Sequence, residues 1–238
     1  MQTQSALLSI ENVDHSFRSS RSGWQLQLRP VQVLHQVSFE IPRGSVFGFV
    51  GANGAGKTTL ISLIAGVRRP SRGRVWFETR GKRFQAHEAG AKQAIGFLPE
   101  RPYFPDHLTG EGLLRYLGTL SGLSGARLSI AIDRSLKQVG MEHARARELR
   151  KYSKGMLQRV GIAQAILHEP EFLLLDEPMS GLDPSGRKEI RELISQLHGN
   201  GHTIFFSSHV LEDVDSLCDR MVSMEQGRVS AVKVLRAP

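Results

Sequence analysis

Residues Phe47 to Leu63 read FGFVGANGAGKTTLISL, and this run constrains the fold more than any other. Gly51, Gly56, Lys57 and Thr58 fit the spacing G-x-x-x-x-G-K-[S/T] of a phosphate-binding loop. An apolar, β-prone run, Val46 to Val50, leads in, and a helix-like run, Lys57 to Ala65, leads out. Glycines let backbone N–H groups turn inward around phosphate oxygens, and the positive end of the following helix favours the same anion. Lys57 would then reach the β- and γ-phosphates of a nucleoside triphosphate, with the Thr58 hydroxyl on Mg²⁺. By average residue usage the bare pattern arises by chance on the order of once per hundred chains of this length. Its strand-to-helix setting makes a glycine turn with no ligand the weaker explanation.

The 238 residues suffice for one large domain or two lobes, and the mix of 40% apolar and 23% charged residues is that of a soluble globular protein. No apolar run approaches the ~18 residues needed to span a bilayer, and the N-terminus lacks a signal peptide's pattern. A cytosolic chain is expected, with any membrane role supplied by a partner. The single cysteine, Cys218, excludes an internal disulfide and reads as a small buried hydrophobe on a helix. The net charge of +8 is scattered, with mild clusters at Arg68–Arg74 and Arg145–Lys154 and no interleaved aromatics, so it carries little weight for a nucleic-acid partner.

Alternation predicts strands at Leu7 to Asp14, Trp24 to Leu28 and Val31 to Ile41, with an exposed turn at Arg18 to Gly23. After the phosphate loop come a turn at Pro70 to Gly73 and strands at Arg74 to Thr79 and Ile95 to Leu98. From about residue 99 to 165 the pattern is helix and loop. Thr109 caps a helix to about Ser121, Leu128 to Val139 is helical, and Ser153 caps a helix to about Leu167. Strand–helix alternation then returns. Strands are predicted at Phe172 to Leu175, Thr203 to Ser207, Arg220 to Glu225 and Arg228 to Val234. Helices follow Asp183-Pro184 and run from Val210 to Asp219. Alternating β and α implies a parallel core sheet with helices on both faces.

Phe172 to Glu177, FLLLDE, is four apolar residues followed by two acids. A buried parallel strand delivers such carboxylates at its C-terminal edge, where ligands bind in these sheets. Asp176 would hold Mg²⁺, directly or through water, and Glu177 would polarise an attacking water.

Taken together, these motifs resemble the nucleotide-binding subunit of an ATP-binding cassette (ABC) transporter. Five motifs occur in family order: GANGAGKTT at Gly51 to Thr59, the signature YSKGM at Tyr152 to Met156, FLLLDEP, the D-loop SGLD at Ser180 to Asp183, and His209 in SSHVLED. The resemblance covers Leu7 to about Val234. It implies an α/β fold of the P-loop NTPase, ABC ATPase type, with a mainly parallel core sheet, an antiparallel β subdomain and an inserted α-helical subdomain. Residues 1–98 and 166–238 would form the core and β subdomain, and about 99–165 the helical subdomain, of one domain over 1–238.

The resemblance also implies roles. ATP would be held by Gly51, Asn53, Gly54, Ala55, Gly56, Lys57, Thr58 and Thr59. Two subunits, expected to be a homodimer, would dock head to tail, with Ser153 and Gly155 of one facing the γ-phosphate on the other. His209 would bond that phosphate and help hold the water, alongside Glu177 as the catalytic carboxylate. Asp183 would contact the opposite phosphate loop while also capping its own helix. Phe17 lies where the family's adenine-stacking aromatic falls. A longer than usual segment follows it, and Trp24 is a rival. Lys154 and Tyr152 depart from the usual Leu-Ser-Gly signature, and Glu100 stands in place of the family's glutamine as a ligand to Mg²⁺ or water. Both departures resemble the ABC-2 branch of exporters.

The function implied is an ATPase subunit driving an exporter-type complex. It would sit on the cytoplasmic face of the inner or plasma membrane, through an integral permease on a separate chain. Tyr103 and Phe104, in the loop after Glu100, are candidate contacts for that partner. A non-transport ABC ATPase on ribosomes or nucleic acid is the alternative. The single cassette and the lack of long coiled coils place it second, with no direct nucleic-acid contact expected. A P-loop kinase has no reason to carry the signature and D-loop.

Overall fold

Buried apolar alternation builds the strands, and the computed structural model describes residues 5–19 and 29–236. The expected strand at Trp24 to Leu28, and with it Trp24, lies outside the described residues. The chain divides into two units, Met1–Lys92 with His209–Pro238, and Gln93–Ser208.

In the first unit, β1 (Ala6–Ser19) pairs antiparallel with β2 (Arg29–Pro42) and β4 (Arg72–Thr79), and β4 with β5 (Lys82–Gln85), in the order β2-β1-β4-β5. Register sets Leu8 opposite Ile41 and Ile10 opposite Phe39, so one face is a continuous apolar surface. Next to it, β3 (Val46–Gly51) runs parallel to β9 (Arg220–Glu225), which pairs antiparallel with β10 (Arg228–Val234). Phe39 stacks on Phe47 with centroids 6.0 Å apart, joining the two sheets' cores. The helix α1 (Lys57–Ile64) buries Leu60, Ile61, Leu63 and Ile64. A short α2 (Ala89–Ala94) follows β5.

In the second unit, β6 (Ile95–Leu98), β7 (Phe172–Leu175) and β8 (Thr203–Ser207) are parallel, with β7 between the others. All four residues of β7 are fully buried, as a two-sided parallel strand requires. The helices here are α3 (Gly110–Leu120), α4 (Gly125–Gln138), α5 (Lys154–Ile166) and α6 (Pro184–Gly199). Two single 3-10 turns, Glu142–Ala144 and Leu149–Lys151, lie between α4 and α5. The caps fall where polar spacing placed them. Thr109 accepts from the Gly112 amide, Ser153 from Met156 and Asp183 from Gly186. The last helix, α7 (Leu211–Leu217), belongs to the first unit.

Two elements fall outside the sequence expectation. The pair Arg80-Gly81, both at positive φ, folds Lys82–Gln85 back as β5, and α2 is only six residues long. Neither carries an apolar stripe long enough to register as a period.

Candidate functional site

The phosphate loop leaves β3 at Gly51 and enters α1 at Lys57. Gly54 and Gly56 adopt φ of 82° and 98°. The Ala55 amide donates to Ala52 O at 3.1 Å, closing the arch. Ala52, Asn53, Gly54 and Thr58 are exposed, while Ala55 and Gly56 are buried beneath them. Lys57 folds back over the arch, where its amine donates to the Gly51 carbonyl and approaches Ala52 O at 3.5 Å. A cation thus lies against two carbonyls of an arch whose residues 52–54 are exposed.

The loop is braced from behind. The Gly227 amide, in the turn between β9 and β10, donates to Ala55 O at 3.1 Å, and Gly227 O accepts from the His35 amide of β2 at 2.9 Å. Phe17 is half-buried at the far end of β1. Its ring meets His15 edge-on at 4.9 Å, and the Arg68 guanidinium lies over it at 5.0 Å. Burial, followed by the nearby Arg68 charge, holds the His15 imidazole below its ordinary pKa. His209 is exposed just before α7.

In the second unit, β7 delivers Asp176 and Glu177 at its C-terminal end. Asp176 is buried, and its amide donates to Leu98 O at 2.8 Å, extending the β6–β7 ladder by one step. Ser207, the last residue of β8, joins the two acids. Its hydroxyl donates to Asp176 Oδ1 at 2.7 Å and accepts from the Glu177 amide at 2.8 Å. Glu177 stands at φ 50°, a left-handed conformation uncommon for a residue with a side chain, and its carbonyl accepts from the Ser180 amide at 3.0 Å. The chain therefore turns sharply at Glu177.

Ser153 is exposed and caps α5, and space around the Gly155 Cα is open. Both line a groove of about 470 Å³ with Met156 and Arg159, the last anchored to Val139 O at 2.8 Å and Glu189 at 2.9 Å. Tyr152 departs from the family's leucine yet is buried like one. Its hydroxyl donates to Ala144 O at 2.8 Å, and burial raises its pKa. Asp183 caps α6 and is exposed. Glu100 is exposed, 3.8 Å from Arg101, and lines a separate cleft with Lys154 and Ser180. Tyr103 projects outward at 95% exposure, whereas Phe104 turns inward beside Gly161 of α5.

Within the units, the structure brings Asp176 beside Glu177, Ser153 beside Gly155, and the loop residues Gly51 to Thr59 around Lys57. It also supplies Ser207 and Gly227, which sequence reasoning did not single out. Ser207 sits in the stretch SSH, a visible signal beside His209, but its partners are 30 and 31 residues away.

The ABC transporter family model matches residues 34–180. An uncharacterized ABC transporter ATP-binding protein of Synechocystis is 43% identical over 88% of this chain and 58% of its own length. The bacitracin transport ATP-binding protein BcrA of Enterococcus faecalis is 39% identical over 83% of this chain and 63% of its own. The chain thus spans about three fifths of these curated relatives. A solved ATP-binding subunit of an ABC transporter is 30% identical and superimposes with a TM-score of 0.78, covering 96% of this chain and 90% of that one. By family match, relatives and fold alike, the chain belongs to the ABC transporter ATP-binding family.

Proposed function

We propose that this chain binds and hydrolyses ATP to power an ABC membrane transport complex of the ABC-2 exporter type. The observation that carries this is the Lys57 amine folded over the Gly51–Gly56 arch, whose exposed backbone suits a triphosphate. Gly51, Asn53, Gly54, Ala55, Gly56, Lys57, Thr58 and Thr59 take the phosphates. Phe17, already faced by Arg68, offers its ring to the base. Glu177 accepts the proton of a water as that water's oxygen bonds to the γ-phosphorus. The bond to the β–γ bridging oxygen breaks, and ADP and phosphate leave. His209 steadies the γ-phosphate.

The residues proposed for magnesium, Thr58, Asp176 and Glu100, are all oxygen donors. Among the described residues no group of three or more His, Cys, Asp or Glu forms a metal cage. Asp176, a buried carboxylate, and Thr58, an exposed hydroxyl, are each oxygen donors of the type magnesium takes, and such an ion would keep waters and phosphate oxygens as its other ligands. Glu100 is the third candidate. Bound magnesium would neutralise developing phosphate charge.

The active form is a head-to-tail pair in which Ser153, Gly155 and Asp183 close on the partner's nucleotide. The open groove at the α5 N-terminus supports this. The resemblance to the bacitracin transport ATP-binding protein BcrA supports transport work, and we infer that a separate membrane permease receives it at the cytoplasmic face. No described helix is long and apolar enough to cross a membrane. The test is ATP binding by calorimetry. Lys57→Ala should weaken affinity by tenfold or more, as loss of a charge-assisted bond does. Unchanged affinity would overturn the assignment.

A further inference from the structure

A cleft of about 200 Å³ lies between the start of α5 and the loop that follows Glu177, lined by Lys154, Gln158, Ser180, Glu100 and Arg101 among others. Lys154 and Gln158 are one helical turn apart, so both face it. Gln158 is only 6% exposed, and its amide nitrogen has no hydrogen-bond partner. A buried N–H left unmade is costly, and such a group in a native fold calls for an explanation. Lys154 has no carboxylate within ion-pair reach among the described residues. Its amine lies against Gly181, where a Cβ would stand 2.0 Å from Nζ and where φ is 65°. The positive φ favours glycine at this position, and the lysine tip rests against it. Ser180, on the facing wall, is tied to Glu177 by its amide at 3.0 Å.

The cleft thus offers an ammonium without an ion-pair partner among the described residues and a hydroxyl beside the positive end of α5, and the orphaned amide nitrogen of Gln158 lies in its wall. Two cations face one carboxylate, and that carboxylate, Glu100, is the near neighbour of Arg101. We propose that this cleft is a site for inorganic phosphate, which rests on the hydrolytic reading of Glu177 for its source. Lys154 and Gln158 donate to the anion, and Ser180 connects the site to the residue at which phosphate is released. The signature lysine, in place of the small residue usual in the family, then has a chemical role.

The test titrates inorganic phosphate into the full chain carrying Lys57→Ala, which disables the phosphate loop as a competing anion site, and follows binding by calorimetry and ³¹P NMR. Saturable binding is expected to persist in this background. It should weaken about tenfold or more when Lys154→Gln is added, as removal of a charged hydrogen-bond donor predicts, and also when Gln158→Leu is added. Lys154 is exposed, so its variant tests the site without disturbing the core. No saturable binding in the Lys57→Ala chain, or binding indifferent to both added changes, would overturn the proposal. Failure of the wild-type chain to bind ATP would instead overturn the ATPase reading, and the two results are separable.

Discussion

Ser207 Oγ donates to Asp176 Oδ1 at 2.7 Å, and the same oxygen accepts the amide of Glu177 at 2.8 Å. One hydroxyl on β8 therefore orients the carboxylate proposed to hold magnesium and pins the backbone of the residue proposed as the base. Ser207→Ala removes both bonds without changing the strand. Two lost bonds, one to a charged group and both buried or half-buried, should cost about 1–3 kcal/mol of stability. Urea unfolding measures that loss. ATP turnover should fall while ATP affinity holds, because the phosphate loop does not use this hydroxyl. Full turnover in a folded Ser207→Ala protein would show that the bridge is only structural.

Glu177→Gln keeps the shape and removes the proton acceptor. General-base removal slows turnover by about 10²–10⁴-fold. ATP should still bind, and the ATP-loaded form should accumulate as a dimer by size exclusion with light scattering. Wild-type turnover in this variant would exclude Glu177 as the base.

Gly227 shows why the phosphate loop depends on residues far from it. At φ 77°, with a Cβ site 2.1 Å from Val33 O, the position admits no side chain. Gly227→Ala must displace β2 or the turn, and with it the amide that holds Ala55. Gly122, at φ 84° with nothing near its Cβ site, is the control, since Gly122→Ala meets only the intrinsic left-handed penalty of about 1–2 kcal/mol. Melting should fall further for Gly227→Ala than for Gly122→Ala, and only the former should weaken ATP affinity. Equal effects would mean that the brace does not shape the loop.

These cases show which features a sequence exposes. The P-loop, the FLLLDE strand and the caps at Thr109, Ser153 and Asp183 were legible because each is written within a few residues, by a period or a fixed offset. The Ser207 bridge, the Gly227 brace and the Lys154–Gly181 contact were not. Their partners lie 27 or more residues away, and nothing local distinguishes a bridging serine from a core one. Tyr152 likewise read as a departure from a motif, because its hydrogen bond to Ala144 depends on a 3-10 turn that spacing does not reveal.

Acid should loosen the second unit through two histidines. His168 Nε2 meets Ile95 O at 3.1 Å and His202 Nδ1 meets Pro170 O at 2.8 Å, each beside the start of a core strand. Burial lowers both pKa values from the ordinary 6.5, with the carbonyl contacts partly opposing it. The unfolded rings take up protons near 6.5, and the folded rings only at lower pH. Between those values the unfolded state binds more protons, so stability is whole above about pH 6.5 and declines as pH falls through the folded pKa values. Thermal melts followed by circular dichroism from about pH 7.5 to 5.5, a window above most carboxylate titration, should show a falling midpoint. A His168→Gln/His202→Gln protein should start less stable and show a shallower decline, since its amides cannot titrate. A decline as steep as that of the wild type would assign the acid sensitivity to other groups.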